Sequence, residues 1–266
     1  MADNSVLYEL EEYVAWITLN NPLKGNVVNN DNLPLISDFI ESANDDGNCR
    51  VIVLQGKEGV FSRGMDFENL IKNSKVGEIK NYFTDPYKKA VLAIRNSNKP
   101  VIAAIDGDVL AGGMGLVLAS DIVISTKRSI FGLSEALFGI IPAFVFPFLL
   151  ERTSYKRARY MVLSTKKFSA EDAFKFGIVD EITDDDRLNK SIKDIIKRLL
   201  YSSPAALALT KKYSDELTNN KISEAVDFAQ NQLTELLNVE ENVNNIKSFI
   251  EGEKPGWAIS YKGKKS

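Results

Sequence analysis

Two stretches of the chain have residue types and spacing suited to chemistry. The first is AGGMG, Ala111 to Gly115, which follows the apolar run VIAAID and precedes LVLAS. Glycines between a strand and a helix let the backbone turn sharply and let another group approach closely. A helix starting near Gly112 leaves its first N–H groups without partners inside the helix, aimed into the space beyond the strand. Such a terminus suits a phosphate, a carboxylate or a developing oxyanion. The second stretch is FGLSEALFGIIPA, in which Glu135 is the lone carboxylate. A carboxyl group in apolar surroundings has a raised pKa and serves as a general acid or base. Oxyanion donors beside a tuned carboxylate point to proton chemistry next to a carbonyl. The same residues also admit a bland role. Glycine-rich strand-to-helix turns often only allow packing, and Ser134-Glu135 can open a helix.

Composition narrows the chemistry further. The chain has 266 residues, one cysteine (Cys49) and no histidine. Ser-His and Cys-His nucleophile pairs within the chain, His-ligated metals and Cys-rich zinc sites are therefore excluded. Acid–base work falls to Asp, Glu, Lys, Tyr or Cys49. No metal and no cofactor of the protein's own is expected. The net charge of −3 and a pI near 5.3 argue against a dedicated nucleic-acid binder. A single cysteine allows no intramolecular disulfide, which fits a reducing cytosol. No apolar run reaches membrane-spanning length and no signal peptide opens the chain, so a cytoplasmic, membrane-free protein is expected.

The elements that must position these residues read as α/β. SVLYELEE and VAWITLN form two strands joined by a tight turn, and the alternation in VAWITL predicts a half-buried pair. NNPLKGN reads as a loop. Asp31 begins a helix with Leu33, Leu35, Ile36, Phe39 and Ile40 mostly on one face. VIVLQG reads as a strand covered on both sides. FSRGMD, Phe61 to Asp66, is a turn, and Asp66 helps begin the next helix. GEIKNYFTDPYKKAVLAIRNSNKP is helical with a break at Asp85-Pro86 and an apolar stripe of Val91, Leu92 and Ile94. The polar residues of this region, Tyr82, Tyr87, Lys88 and Lys89, read best as a solvated face. So do Lys156, Arg157 and Arg159, which otherwise form a phosphate-facing patch. FSAEDAFKFG is a short helix opened by Ser169 and stopped by Gly177. From about Asp185 the chain is mostly helical, with Ile222, Ala225, Val226, Leu233 and Leu236 along one side. The expected organisation is a core over residues 1–200 and a helical region over 201–266.

FSRGMD and AGGMG stand where the crotonase (enoyl-CoA hydratase/isomerase) superfamily has its F-x-x-G-x-D and G-G-G turns. With FSAEDAFKFGIVDEI, they make the chain resemble that family from about Tyr8 to Trp257. The resemblance implies a spiral of strand–strand–helix units with roughly perpendicular sheets. It implies a C-terminal helical part that covers the site and builds a homotrimer or hexamer. It also implies oxyanion N–H donors from Met65 and Gly112, with the Met65 side chain reshaping the pocket. Carbonyls around Ser62, Arg63 and Gly64 would line an adenine pocket if the carrier were coenzyme A. Tyr82 lies in a region bordering the acyl pocket, and Lys254 matches a position near the coenzyme phosphates, with a solvated tail lysine as the alternative.

Enoyl-CoA hydratases usually carry two glutamates, one matching Glu135 and one falling at Gly115. The segment from Phe131 to Asp180 is similar to the dehydratases of polyketide β-branching, which show the same loss. Their decarboxylase partners generally lack the remaining glutamate. The resemblance thus implies dehydration of 3-hydroxy-3-methylglutaryl thioester on an acyl carrier protein, with Glu135 as the acid–base. Gly115 in place of a second glutamate relieves crowding and repulsion of a branched, carboxylate-bearing substrate, or serves packing alone. A general CoA-ester hydratase or isomerase, the decarboxylase, and a non-catalytic binding protein are the alternatives.

Overall fold

In the computed structural model, residues 5–73, 80–138 and 140–217 are described, with positions 244, 253, 254, 256, 258–260 and 262 beyond them. These residues fall into two units, Met1–Asp194 and Ile195–Gly263.

The first unit opens with a hairpin. Strands β1 (Val6–Glu11) and β2 (Val14–Leu19) pair antiparallel with Val6 opposite Leu19. Glu12 and Tyr13 make the turn at positive φ, 47° and 70°, a pairing whose twist matches that of the strands. VAWITL is more buried than its alternation predicts, with five of its six residues buried, and β2 is an interior strand paired with β1 and β3. NNPLKGN contains one short 3₁₀ turn, Pro22–Lys24. Helix α1 (Asn32–Asp45) begins one residue after Asp31, and Asp31 makes no capping bond. Asn29 takes that role. Its Oδ1 accepts from the Asp31 and Asn32 amides, and Asn32 Oδ1 accepts from the Asn29 amide. Leu33, Ile36 and Ile40 are fully buried on the predicted face.

From here the chain repeats one move. A strand enters a large sheet, a short strand enters a small one, and helices return the chain. The elements in order are β3 (Val51–Gly56), β4 (Val60–Ser62), α2 (Phe67–Asn73), α3 (Asp85–Arg95), β5 (Val101–Ile105), β6 (Asp108–Leu110), α4 (Gly112–Leu118), β7 (Ile122–Thr126), β8 (Ile130–Gly132), α5 (Val145–Arg152), α6 (Tyr155–Ser164), β9 (Lys167–Ser169), α7 (Ala170–Lys175) and β10 (Glu181–Thr183). The large sheet has the order β1-β2-β3-β5-β7-β10, parallel from β2 onward. The small sheet is β4-β6-β8-β9. Parallel strands covered on both faces read as continuous apolar runs, and VIVL and VIAAI are buried throughout.

The change from large to small sheet needs close backbone approach. Gly107, between β5 and β6, has φ 89°, and a Cβ there would lie 1.8 Å from the Gly59 carbonyl oxygen. No side chain fits.

One turn of π-helix, Lys80–Thr84, runs into α3, where Pro86 stands at the start. Val91 and Ile94 are buried as predicted, whereas Leu92 is exposed. Ser154 caps α6 and Ser169 caps α7, each accepting from the amide three residues on. Gly177 follows α7 at φ 80°. Arg157 lies over the Phe176 ring and Arg159 over Tyr155, so both cations are stacked on aromatic faces.

Helices α8 (Leu188–Tyr201) and α9 (Pro204–Leu217) follow. Within the second unit, Ile259 N–H donates to the Leu200 carbonyl. The apolar side expected from Ile222 to Leu236 lies outside the described residues. Among the described residues no helix is long and apolar enough to cross a membrane.

Candidate active site

The site is built where the two glycine-bearing turns of the first unit meet. The FSRGMD turn is held from below by the segment after β2. Asn26 is buried and its Nδ2 donates to the Val60 carbonyl at 2.7 Å. Val28 then bridges Met65. Val28 N–H donates to the Gly64 carbonyl at 2.8 Å, and Asp66 N–H donates to the Val28 carbonyl at 2.9 Å. In such a bridge the flanking groups are consumed and the central N–H is left over. The Met65 N–H therefore points out of the ladder and donates to no group among the described residues. Asp66 Oδ1 accepts from the Asn69 amide at 2.9 Å and so starts α2, as predicted.

The second turn lies against the first. Helix α4 starts at Gly112, the predicted position, and the Gly112 N–H likewise has no partner among the described residues. A Cβ built on Gly112 would lie 3.7 Å from Met65 N, and one built on Gly64 would lie 3.1 Å from Gly112 N. Ala111 between them adopts φ 46°, ψ −120°, a strained conformation for a residue with a side chain. Two free amides thus border one space.

That space is a cavity of about 80 Å³ lined by Met65, Phe83, Tyr87, Ala111, Gly112, Glu135 and the stretch Ile140 to Val145. Glu135 begins a short 3₁₀ turn after β8 and is only 8% exposed. Its Oε2 is buried with no hydrogen-bond partner. Burial raises its pKa above the ordinary carboxylate value, and the backbone amides of Glu135 and Ser134 offset this only in part. The apolar surroundings do not come from all the sequence neighbours that suggested them. Leu133 is buried, but Ala136 and Leu137 are exposed. Phe83, Phe144, Val145 and Pro142 supply the apolar wall instead.

Position 115 is the main correction. Gly115 is buried and does not line the cavity. A Cβ there would lie 2.0 Å from Tyr87 Oη and 3.1 Å from Tyr87 Cζ. The room left by the absent side chain is filled by Tyr87, not kept open for a substrate. Tyr87 is itself a correction, since it is 2% exposed rather than on a solvated face. Its ring is packed between Phe83 and Phe144, with centroids at 5.6 Å and 5.4 Å. Its hydroxyl donates to the Gly112 carbonyl at 2.7 Å. Burial, and to a smaller degree the Glu135 charge, raise its pKa far above the ordinary phenol range.

Tyr82 is not on the cavity wall. Its hydroxyl donates to Asn69 Oδ1 at 2.5 Å. Nor are Ser62, Arg63 and Gly64. Ser62 is fully buried, with its carbonyl oxygen where a side chain on Gly113 would be, and the Gly64 carbonyl is taken by Val28. Arg63 is exposed, and its Nε donates to Asp108 Oδ2 at 3.1 Å. Lys254 is exposed in the second unit. No group of three or more His, Cys, Asp or Glu among the described residues could hold a metal.

The spiral of strand–strand–helix units with this pair of turns defines the crotonase fold. The model of the enoyl-CoA hydratase/isomerase family matches residues 9–259, and the chain belongs to that family. It is an enzyme of the hydratase-like lyase class. The bacillaene synthase dehydratase PksH of Bacillus subtilis is 28% identical over 246 residues, covering 92% of this chain and 93% of that protein. The short-chain-enoyl-CoA hydratase of Clostridium acetobutylicum is 27% identical over 258 residues, covering 94% and 96%. Among solved structures, an enoyl-CoA hydratase/isomerase (crotonase) from Legionella pneumophila superposes with a TM-score of 0.89 at 28% identity, covering 95% of this chain and 98% of that one.

Proposed function

We propose that the protein dehydrates 3-hydroxy-3-methylglutaryl thioester, carried on the phosphopantetheine of an acyl carrier protein, to the 3-methylglutaconyl thioester during polyketide β-branching. The observation that carries this reading is the lone carboxylate of Glu135, its Oε2 unpartnered, in an apolar cavity bordered by the free amides of Met65 and Gly112. The likeness to the bacillaene synthase dehydratase supports the choice of pathway. Glu135 takes a proton from the carbon α to the thioester. The charge develops on the thioester oxygen, which accepts from the Met65 and Gly112 N–H groups. One such donor is worth about 3 kcal/mol of barrier in other enzymes. The electron pair of the enolate then forms the C–C double bond as the β-hydroxyl leaves, protonated by the same Glu135, as water. Proton and hydroxyl leave from one face. The protein needs no cofactor of its own for this chemistry. The working assembly is a homotrimer or a hexamer in the cytoplasm, and Lys254 contacts a phosphate of the carrier arm.

The test is mass spectrometry of the loaded carrier protein. Loss of water is expected. Loss of carbon dioxide would assign the decarboxylase instead. A second reading, hydration of a short-chain enoyl-CoA, is supported by the equal likeness to the Clostridium acetobutylicum hydratase. Faster turnover of crotonyl-CoA than of the carrier-bound substrate would select it.

A further inference from the structure

We propose that Tyr87 is a positioning residue for the reaction, whose hydroxyl fixes the direction of the Gly112 amide by holding the Gly112 carbonyl. This rests on the reading of Gly112 as an oxyanion donor. The two peptide planes that meet at the Gly112 Cα are related only by its φ and ψ. With no Cβ, local sterics limit those angles weakly. The plane that carries the Gly112 N–H is tied to the helix where the Ala111 carbonyl accepts from the Met114 N–H at 2.9 Å. A bond to the Gly112 carbonyl holds the next plane, so that the two together set φ and ψ at Gly112 and the aim of its N–H. Tyr87 supplies that bond from a different element, α3, at 2.7 Å.

The phenol is well suited to the task. Phe83 and Phe144 grip its ring, so the hydroxyl has little freedom to swing away. It approaches through the space above Gly115, which any Cβ would close. Its pKa lies far above the working range, so the group keeps its proton and remains a donor at every pH the enzyme meets. For the same reason it does not compete with Glu135 for the moving proton. A buried donor held by packing needs no reorganisation during the reaction, and fixed dipoles of that kind are the most effective.

Two variants and two readouts test this. Tyr87→Phe keeps the ring and removes the hydroxyl. Gly115→Ala keeps the hydroxyl and pushes it off the Gly112 carbonyl. The first readout is turnover of the thioester. The second is binding of acetoacetyl-CoA, whose enolate is read by its ultraviolet absorbance and reports polarisation of the thioester oxygen without catalysis. Each variant is expected to lower kcat about tenfold with KM changed less than about twofold, the pattern of an interaction made mainly in the transition state. Each also lowers the bound enolate fraction. Gly115→Ala adds no further loss in the Tyr87→Phe background. Wild-type kcat and enolate fraction in Tyr87→Phe, whatever its thermal midpoint, would overturn the proposal and leave the assignment of function intact. A wild-type protein that neither turns over a thioester nor forms the enolate would overturn both.

Discussion

Tyr87 and Gly115 occupy one space. The hydroxyl of Tyr87 stands 2.0 Å from where a Cβ of residue 115 would be, so each residue fixes what the other is able to be. The pair joins α3 to α4 directly beside Glu135. A cavity with one acid and a rigid phenol beneath it differs chemically from one with two acids.

Gly115→Ala therefore destabilises the fold. The clash falls on the far end of a side chain, but that side chain is held by two aromatic rings and cannot move freely. Overpacking of this kind costs about 1–3 kcal/mol. Removing the hydroxyl with Tyr87→Phe is expected to recover part of the loss, a favourable coupling readable from urea unfolding of the two single variants and the double variant. Strictly additive losses would mean that the two residues do not compete.

Glu135 makes stability depend on pH. The folded protein holds the Glu135 proton to higher pH than the unfolded chain does, because burial raises its pKa. Below the ordinary carboxylate value this contribution is fully present. Between that value and the raised one, folding takes up a proton, so stability falls as pH rises. Glu135→Gln removes the effect. Its thermal midpoint, measured against wild type, is expected to gain as pH rises from the ordinary carboxylate value of about 4 towards neutrality. A constant difference across that range would contradict the burial of the charge.

Arg152 ties α5 to the entrance of β7. Its Nη1 donates to both Asp180 carboxylate oxygens, at 2.8 Å and 2.9 Å, and its Nη2 donates to the Ser120 and Asp121 carbonyls at 2.7 Å and 3.0 Å. The side chain is only 13% exposed. Lysine keeps the charge but cannot span both sets of acceptors. Arg152→Lys is expected to cost about 2 kcal/mol, the scale of hydrogen bonds to a charged group. An unchanged midpoint in denaturant would show that a point charge suffices.

Much of the frame was legible in the sequence because its signals are local. Ser169 and Asp66 start helices by capping bonds three residues long, and VIVL and VIAAI are buried along their whole length. Helix α4 begins at Gly112 because the glycine turn admits little else. What the sequence did not reveal depends on contacts between distant segments. VAWITL looks half-buried, yet Trp16 on one face and Ile17 on the other are both buried. Asn29, two residues before the expected Asp31, is a local exception: it caps α1 through a reciprocal bond with Asn32 at capping-box spacing, with Asn in both places. Tyr87 looks like one of several polar residues on a helix, no more eligible than Tyr82. Only the packing of Phe83, Phe144 and Gly115 around the Tyr87 ring separates them. One signal was available: a glycine inside a helix at a place where the resembled family carries a side chain implies that something else fills the volume.

The central claim is that Glu135 moves the proton. On the proposed reading the amides of Met65 and Gly112 polarise the thioester but transfer no proton, and burial favours the protonated form of Tyr87. Glu135→Gln keeps the shape of the side chain and removes the acid–base group. The direct measurement is the rate of water loss from 3-hydroxy-3-methylglutaryl carrier protein, followed by mass spectrometry with wild type and the Gln variant side by side. Turnover is expected to fall about a hundredfold or more, the scale of a lost general acid–base group, while the bound acetoacetyl-CoA enolate persists. Turnover of the Gln variant near that of wild type would contradict the account, because another group would then be carrying the proton.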